Sequence, residues 1–172
     1  RAMVPATYPL SLLIDIGSKS TNVGVVERGI LVFARTIPTA GEALTRAVQS
    51  SLGLEPTVAE QYKATYGFDV SKLGGKLAEA MKPVLNVIAS EIRKTADFYT
   101  SKHSGQNITL ATITGGVAMM PEMVATLSGM VGMELSVGDP FLKLVLDKSQ
   151  QQALVNLGPL YGVAVGLAMR EI

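Results

Sequence analysis

Asp15 closes the apolar run Leu12-Leu13-Ile14-Asp15-Ile16 and is followed at once by Gly17, Ser18, Lys19, Ser20 and Thr21. A carboxylate at a strand tip can hold Mg²⁺ through water or orient an attacking water. Gly17 lets bare backbone N–H groups turn toward an anion, while Ser18, Ser20 and Thr21 add hydroxyl donors and Lys19 a point charge. An ordinary hairpin with a polar turn would use the same residues. Far along the chain, Thr114-Gly115-Gly116-Val117-Ala118 sets a glycine pair between a strand and a helix start. There the backbone can pass beneath a sugar or a flat base with no side chain in the way, although a plain strand-to-helix turn would use the same residues. Between the two lies Ala59-Glu60-Gln61-Tyr62-Lys63, with a carboxylate and an ammonium one helical turn apart. Both can reach one ligand, although the same spacing also makes a common surface ion pair worth only a few tenths of a kcal/mol.

The elements that must position these groups follow from pattern. Leu12–Ile16, Asn22–Glu27 and Ile30–Thr36 are rich in Val, Ile and Leu and separated by turn residues, which predicts a three-stranded meander. Leu44, Val48 and Leu52 share one face of a helix over Glu42–Ser51 that ends at Gly53. A second helix runs from Pro56 to Ala64 and is closed by Gly67. Leu73, Leu77, Met81, Leu85, Ile88 and Ile92 recur at spacings of three and four, as one buried helical face does. Pro83 interrupts that stripe, so one helix is expected before it and another beginning at it. Ser101–Asn107 reads as a polar loop, Ile108–Thr114 as a strand, Pro121–Met130 as a helix and Glu134–Val137 as a short strand. The last helix, Gly158–Arg170, carries Gly158, Gly162 and Gly166 four apart and so permits close packing. Strands first, helices in the middle and alternation at the end give an α/β order with an inserted helical lobe.

Bulk composition narrows the function classes. The 172 residues suit one domain or two small lobes. The chain is 48% apolar and 17% charged, with mean hydropathy +0.33, which points to a large core or to a face that packs against something outside the chain. No apolar run is long enough to span a bilayer. A net charge of +1 with mixed signs argues against a nucleic-acid platform. The absence of cysteine removes disulfides and thiolate chemistry and fits a cytoplasmic protein. His103 is the sole histidine and sits in a polar stretch, where it reads as a solvated loop residue, so a His-dependent triad or metal cluster is not expected. Arg1-Ala2-Met3-Val4-Pro5 lacks the core of a signal peptide, and an opening on arginine is what a fragment would show.

The three candidate segments occur in the order Asp-x-Gly hairpin, Ala-Glu-x-x-Lys, Gly-Gly-x-Ala. In that order the chain resembles the second half of actin-like ATPase folds, relatives of FtsA, MreB and Hsp70, and most closely the PilM-like type IV pilus assembly proteins. The likeness runs through Phe33-Ala34-Arg35-Thr36-Ile37, Ala40-Gly41-Glu42-Ala43-Leu44-Thr45-Arg46-Ala47-Val48 and Ala59-Glu60-Gln61-Tyr62-Lys63. It continues through Ser90-Glu91-Ile92-Arg93-Lys94-Thr95-Ala96-Asp97-Phe98-Tyr99, Ile113-Thr114-Gly115-Gly116-Val117-Ala118-Met119-Met120-Pro121 and Val137-Gly138-Asp139-Pro140-Phe141.

The resemblance implies a ribonuclease H-like subdomain with a mixed sheet over residues 1–37 and 106–172 and an inserted helical lobe over 38–105. It implies an ATP and Mg²⁺ site in which the Asp15–Thr21 hairpin faces the β- and γ-phosphates and the metal. Glu60 and Lys63 would then meet the ribose and adenine, and Gly115, Gly116 and Ala118 would border the adenosine. The implied role is that of a cytoplasmic scaffold peripheral to the inner membrane, in which ATP sets lobe closure and partner binding. The partner is the cytoplasmic tail of a PilN-like membrane protein, bound through the half of the fold that this chain lacks. Self-association through the face left by that half is a further expectation. Two other roles of the superfold stay open: an FtsA- or MreB-like filament or interaction module, and part of an ATPase or small-molecule kinase. Phosphoryl transfer needs groups from both lobes, so this chain by itself should not turn over ATP. One departure stands out: relatives often carry glycine after Pro121, where Glu122 stands here, which would put an anion near the adenosine pocket.

Overall fold

The computed structural model describes residues 3–4, 8–103, 107–142, 144–154 and 157–169. Five strands, β1 (Leu10–Ile16), β2 (Thr21–Glu27), β3 (Ile30–Ile37), β4 (Leu110–Thr114) and β5 (Glu134–Val137), form one sheet in the order β3-β2-β1-β4-β5. The meander β1–β2–β3 is antiparallel, whereas β1–β4 and β4–β5 are parallel. Among the described residues six α-helices accompany the sheet: α1 (Gly41–Leu52), α2 (Pro56–Tyr66), α3 (Lys76–Lys102), α4 (Met123–Val131), α5 (Lys148–Leu154) and α6 (Gly158–Ala168).

The sheet has two unlike faces because successive side chains point opposite ways. Leu12, Ile14 and Ile16 are wholly buried on one face, where Ile14 pairs with Val23 on one side and Ile113 on the other. This face forms a continuous core with Leu44 and Val48 of α1, Leu85, Ile88 and Ile92 of α3, and Met123 and Leu127 of α4. The other face carries Asp15 beside Thr114, and the Thr114 hydroxyl donates to the Pro159 carbonyl at 2.8 Å, which fixes the start of α6 there. Gly162 allows that approach, since a Cβ on it would lie 3.1 Å from the Thr114 hydroxyl. Gly166 meets nothing within 4 Å, so the expected glycine spacing serves packing at Gly158 and Gly162 only.

Several sequence expectations need correction. Pro83 does not divide the long periodic stretch; α3 runs through it from Lys76 to Lys102. An internal proline costs a helix about 3 kcal/mol. Burying Leu77 and Met81 before it, and Leu85, Ile88 and Ile92 after it, on one face gains roughly 1.5–3 kcal/mol per side chain. The shared face therefore outweighs the break, and Pro83 itself is left on the solvent side. Leu73 lies outside α3, in a 3-10 turn over Leu73–Gly75 at φ 50°, and is 45% exposed. Ser101 and Lys102 belong to α3 rather than to a loop, and His103 caps it, exposed but stacked on Tyr99 at 4.0 Å between ring centroids. The helix expected from Pro121 begins at Met123, and α5 had no sequence expectation. Residues 104–106 of the expected loop and Arg170 of the last helix lie outside the described residues.

Candidate functional site

Strands β1 and β4 run parallel and finish side by side, with Asp15 in register with Thr114. Ligands of open α/β sheets bind beyond the carboxyl ends of such strands. Here each strand gives way to a glycine turn, and the two turns pack together. Gly115 has φ 89°, and a Cβ placed on it would lie 2.3 Å from the Ile16 carbonyl oxygen and 2.8 Å from Asp15 Oδ1. Only glycine permits that contact, which sets the Asp15 carboxylate directly against the second turn. The Gly115 N–H donates to the Pro159 carbonyl at 3.0 Å, so this turn is also tied to α6.

The first turn is closed by Gly17 N–H donating to the Ser20 carbonyl at 3.1 Å. It is held from the side by the start of α1, where Gly41 and Glu42 donate their N–H groups to the carbonyls of Gly17 and Ser18 at 3.1 and 2.8 Å. Between the turns and α2 lies a cleft of about 590 Å³. Gly17, Ser18, Glu60, Lys63 and Gly116, drawn from all three segments singled out in the sequence, line it. Gly41, Glu42, Ala64, Met119 and Leu160 also line it, and sequence reasoning did not propose them. Leu160 reaches the cleft from α6, a distant element whose arrival no local pattern announces. Glu42 carried a weak signal, an acidic residue in a first helical turn, which by itself reads as a partner for the helix dipole.

The remaining expected residues take other places: Asp15 and Gly115 abut each other and do not line the cleft. Lys19 is exposed and Ser20 half-buried, and neither lines the cleft. Thr21 is fully buried and its hydroxyl donates to the Thr39 carbonyl at 2.8 Å, so it pins the strand end instead of offering a donor to the cleft. Ala118 is buried behind Gly116, its N–H donating to the Gly115 carbonyl at 3.1 Å.

Lys63 is not a surface ion-pair residue, being only 5% exposed. Its ammonium donates to the Gly41 carbonyl at 3.1 Å, the Thr45 hydroxyl at 2.9 Å and Glu60 Oε2 at 2.7 Å. An ammonium has three donors, so all are occupied within the protein. Thr45 also reaches the Gly41 carbonyl and Glu60 Oε2 with its one proton. The network binds α1 to α2 and orients Glu60, whose Oε1 takes part in none of these bonds. Burial of Glu60 raises its pKa, but the bonds from Lys63 and Thr45 outweigh that and hold the carboxyl below its ordinary value. Glu60 is therefore an ionised acceptor at the cleft.

Glu122 sits apart from the cleft. It is exposed, does not line the cavity and adopts φ 57°, the left-handed conformation that glycine takes without strain. Gly67, at the end of α2, comes close to the same corner: the next residue, Phe68, donates its N–H to the Pro121 carbonyl at 2.9 Å, and a Cβ on Gly67 would lie 2.3 Å from that oxygen. Among the described residues no group of three His, Cys, Asp or Glu side chains is placed to hold a metal by itself.

Parallel strands ending at paired glycine turns, an antiparallel meander on one flank and helices on both faces constitute the actin-like ATPase fold. The chain belongs to the family of type IV pilus assembly protein PilM, which it matches over residues 7–172. It is similar to a chain of the solved PilM–PilN type IV pilus biogenesis complex, with TM-score 0.81 and 24% identity, covering 96% of this chain and 47% of that one. It is 25% identical over 146 residues to the cell division protein FtsA of Bacillus subtilis, covering 74% of this chain and 33% of FtsA. MreB 5 of Spiroplasma citri, solved bound to AMPPNP, shares the fold at TM-score 0.57 and 13% identity, covering 96% of this chain and 56% of that one. The chain thus spans between about a third and a little over half of the length of these three proteins. Among the described residues no helix is long and apolar enough to cross a membrane.

Proposed function

We propose that this chain is the nucleotide-binding half of a PilM-like scaffold in type IV pilus assembly. The observation that carries the reading is the meeting of Gly17–Ser18, Glu60 and Gly116 in one cleft at the ends of two parallel strands. The first turn suits the phosphates, because its backbone and the Ser18 hydroxyl lie at the cleft wall. Glu60 Oε1 suits a ribose hydroxyl, and Lys63 acts by orienting Glu60. Gly116 leaves space for the sugar or base, between the apolar sides of Met119 and Leu160. Asp15 would hold Mg²⁺ through water, the phosphates supplying the other oxygens that a magnesium ion requires. MreB 5, a fold relative, was solved with an ATP analogue.

In this reading residues 38–105 form the helical lobe and residues 1–37 and 106–172 the sheet unit. ATP bridges this half to the other half of the fold, and its occupancy sets lobe closure and the affinity for a PilN-like tail at the inner membrane. Any turnover would need groups in line from both lobes, so it would belong to the full-length protein and not to this chain. The test is calorimetric titration of Mg-ATP into the full-length protein with and without Asp15→Ala. The variant should bind on the order of tenfold more weakly, a difference of about 1.4 kcal/mol. Unchanged Mg-ATP affinity together with unchanged ATP-dependent capture of a PilN-like tail would overturn the assignment.

A further inference from the structure

Glu42 does more than line the cleft. Its backbone N–H donates to the Ser18 carbonyl at 2.8 Å, and its Oε1 accepts the Ser18 hydroxyl at 2.9 Å. With the Gly41 bond to Gly17, the first residues of α1 clip the phosphate-side turn from both backbone and side chain. The carboxylate is held loosely on its other side: Oε2 lies 3.9 Å from Arg46, and the two side chains are 46% and 69% exposed, so that pair contributes little. Glu42 lines both the main cleft and a second groove of about 520 Å³ between α1 and α2, into which its side chain can swing.

A serine hydroxyl has one proton to give, and that of Ser18 is given to Glu42. A phosphate entering the turn needs the same donor, and it would meet a negative group already seated on it. The ammonium lining the cleft, Lys63, offers no relief, because its donors are engaged with Gly41, Thr45 and Glu60. We propose that Glu42 is a built-in stand-in for a nucleotide phosphate. In the nucleotide-free protein its carboxylate satisfies Ser18, and the incoming phosphate displaces it, which releases the side-chain half of the clip on α1. The proposal rests on the nucleotide reading above and adds how that site is regulated. Since α1 also supplies Gly41 and Thr45 to the network that orients Glu60, release at the phosphate end is felt at the sugar end of the same cleft. A divalent cation screens the carboxylate from the phosphates, so the competition is strongest without Mg²⁺.

The test titrates ATP and ADP, each with Mg²⁺ and with EDTA, into the full-length protein carrying wild-type sequence, Glu42→Gln or Glu42→Ala. Glu42→Gln keeps the shape and removes the charge, so it should bind metal-free ATP on the order of tenfold more tightly than wild type, with a smaller gain in Mg²⁺. In the absence of nucleotide, Glu42→Ala should speed hydrogen exchange at the amides of residues 41 and 42, each relative to its own unprotected rate. Equal or weaker binding by Glu42→Gln in EDTA, with wild type binding Mg-ATP normally, overturns the stand-in and leaves the nucleotide site intact. Unaltered exchange in Glu42→Ala overturns the link to α1. Failure of the folded wild-type protein to bind Mg-ATP at all overturns the nucleotide reading, and the stand-in with it.

Discussion

The two glycine turns at the ends of β1 and β4 face one cleft but are built on different principles. The first adds to its backbone bonds a side-chain clip that can let go: Ser18 donates to an exposed glutamate, and a Cβ on Gly17 would meet only the Ser20 carbonyl oxygen, at 3.3 Å. The second is fixed by close backbone contact, with the buried Thr114 hydroxyl also bound to Pro159. Gly115 sits at φ 89° with the Ile16 carbonyl where a Cβ would go, and its N–H is bound to Pro159. One turn can answer a ligand through side chains, while the other offers a fixed wall whose shape depends on the absence of a side chain.

That contrast is broken or sharpened by substitution. Gly115→Ala should have the largest effect, a loss of about 3 kcal/mol or more in urea unfolding, because positive φ and a backbone overlap must both be relieved. Gly17→Ala should cost under about 1 kcal/mol by the same measurement, since a few tenths of an ångström of movement suffice. Comparable losses at both positions would erase the distinction between the turns.

Next comes Lys63→Met, which fills similar space but removes the charged partner of the Gly41 carbonyl, the Thr45 hydroxyl and Glu60. Thermal unfolding should show a loss of about 1–3 kcal/mol, as hydrogen bonds to a charged group contribute that much. A neutral result would mean that the network adds nothing to the junction of α1 and α2. The pH dependence follows from Glu60, whose folded pKa lies below its unfolded value. Its stabilising contribution is present above the unfolded value and is lost as pH falls through the folded one. The difference in urea midpoint between wild type and Glu60→Gln should therefore be full at neutral pH and shrink below about pH 4.5. The side chain is 56% exposed, so the effect is small. Smallest and opposite in sign, Glu122→Gly should stabilise the protein by a few tenths of a kcal/mol, because relief of the left-handed glutamate is partly offset by the freedom glycine has in the unfolded chain.

Much of this fold is legible in the residues. The alternation of Leu12, Ile14 and Ile16, the turn residues after Ile16 and Glu27, and the stripe from Leu77 to Ile92 reproduce the meander and α3 to within a few residues. The helix from Pro56 does close at Gly67. Pro83 misleads because a proline's effect on a helix is local, whereas the benefit of keeping one buried face unbroken is summed over the whole of α3. The site is legible in part. The glycine turns and the Glu60–Lys63 pair are visible as spacing, yet spacing states only that two residues are neighbours. It does not reveal that Gly41 and Thr45 close over Lys63, or that Ser18 finds Glu42 across the gap between turn and helix.

Apart from α5 and the unbroken course of α3 through Pro83, the sequence by itself determined which segments become strands and helices, and which family the ordered motifs resemble. These depend on propensity, periodicity and turn chemistry acting over a few residues. Only the tertiary structure decided that β4 would lie parallel against β1, that Lys63 would be spent inside the protein and that Glu42 would occupy Ser18. Each of these joins residues far apart in the chain. Such pairings form because apolar faces must be buried together and buried polar groups must find partners, and both conditions are met only by the assembled molecule.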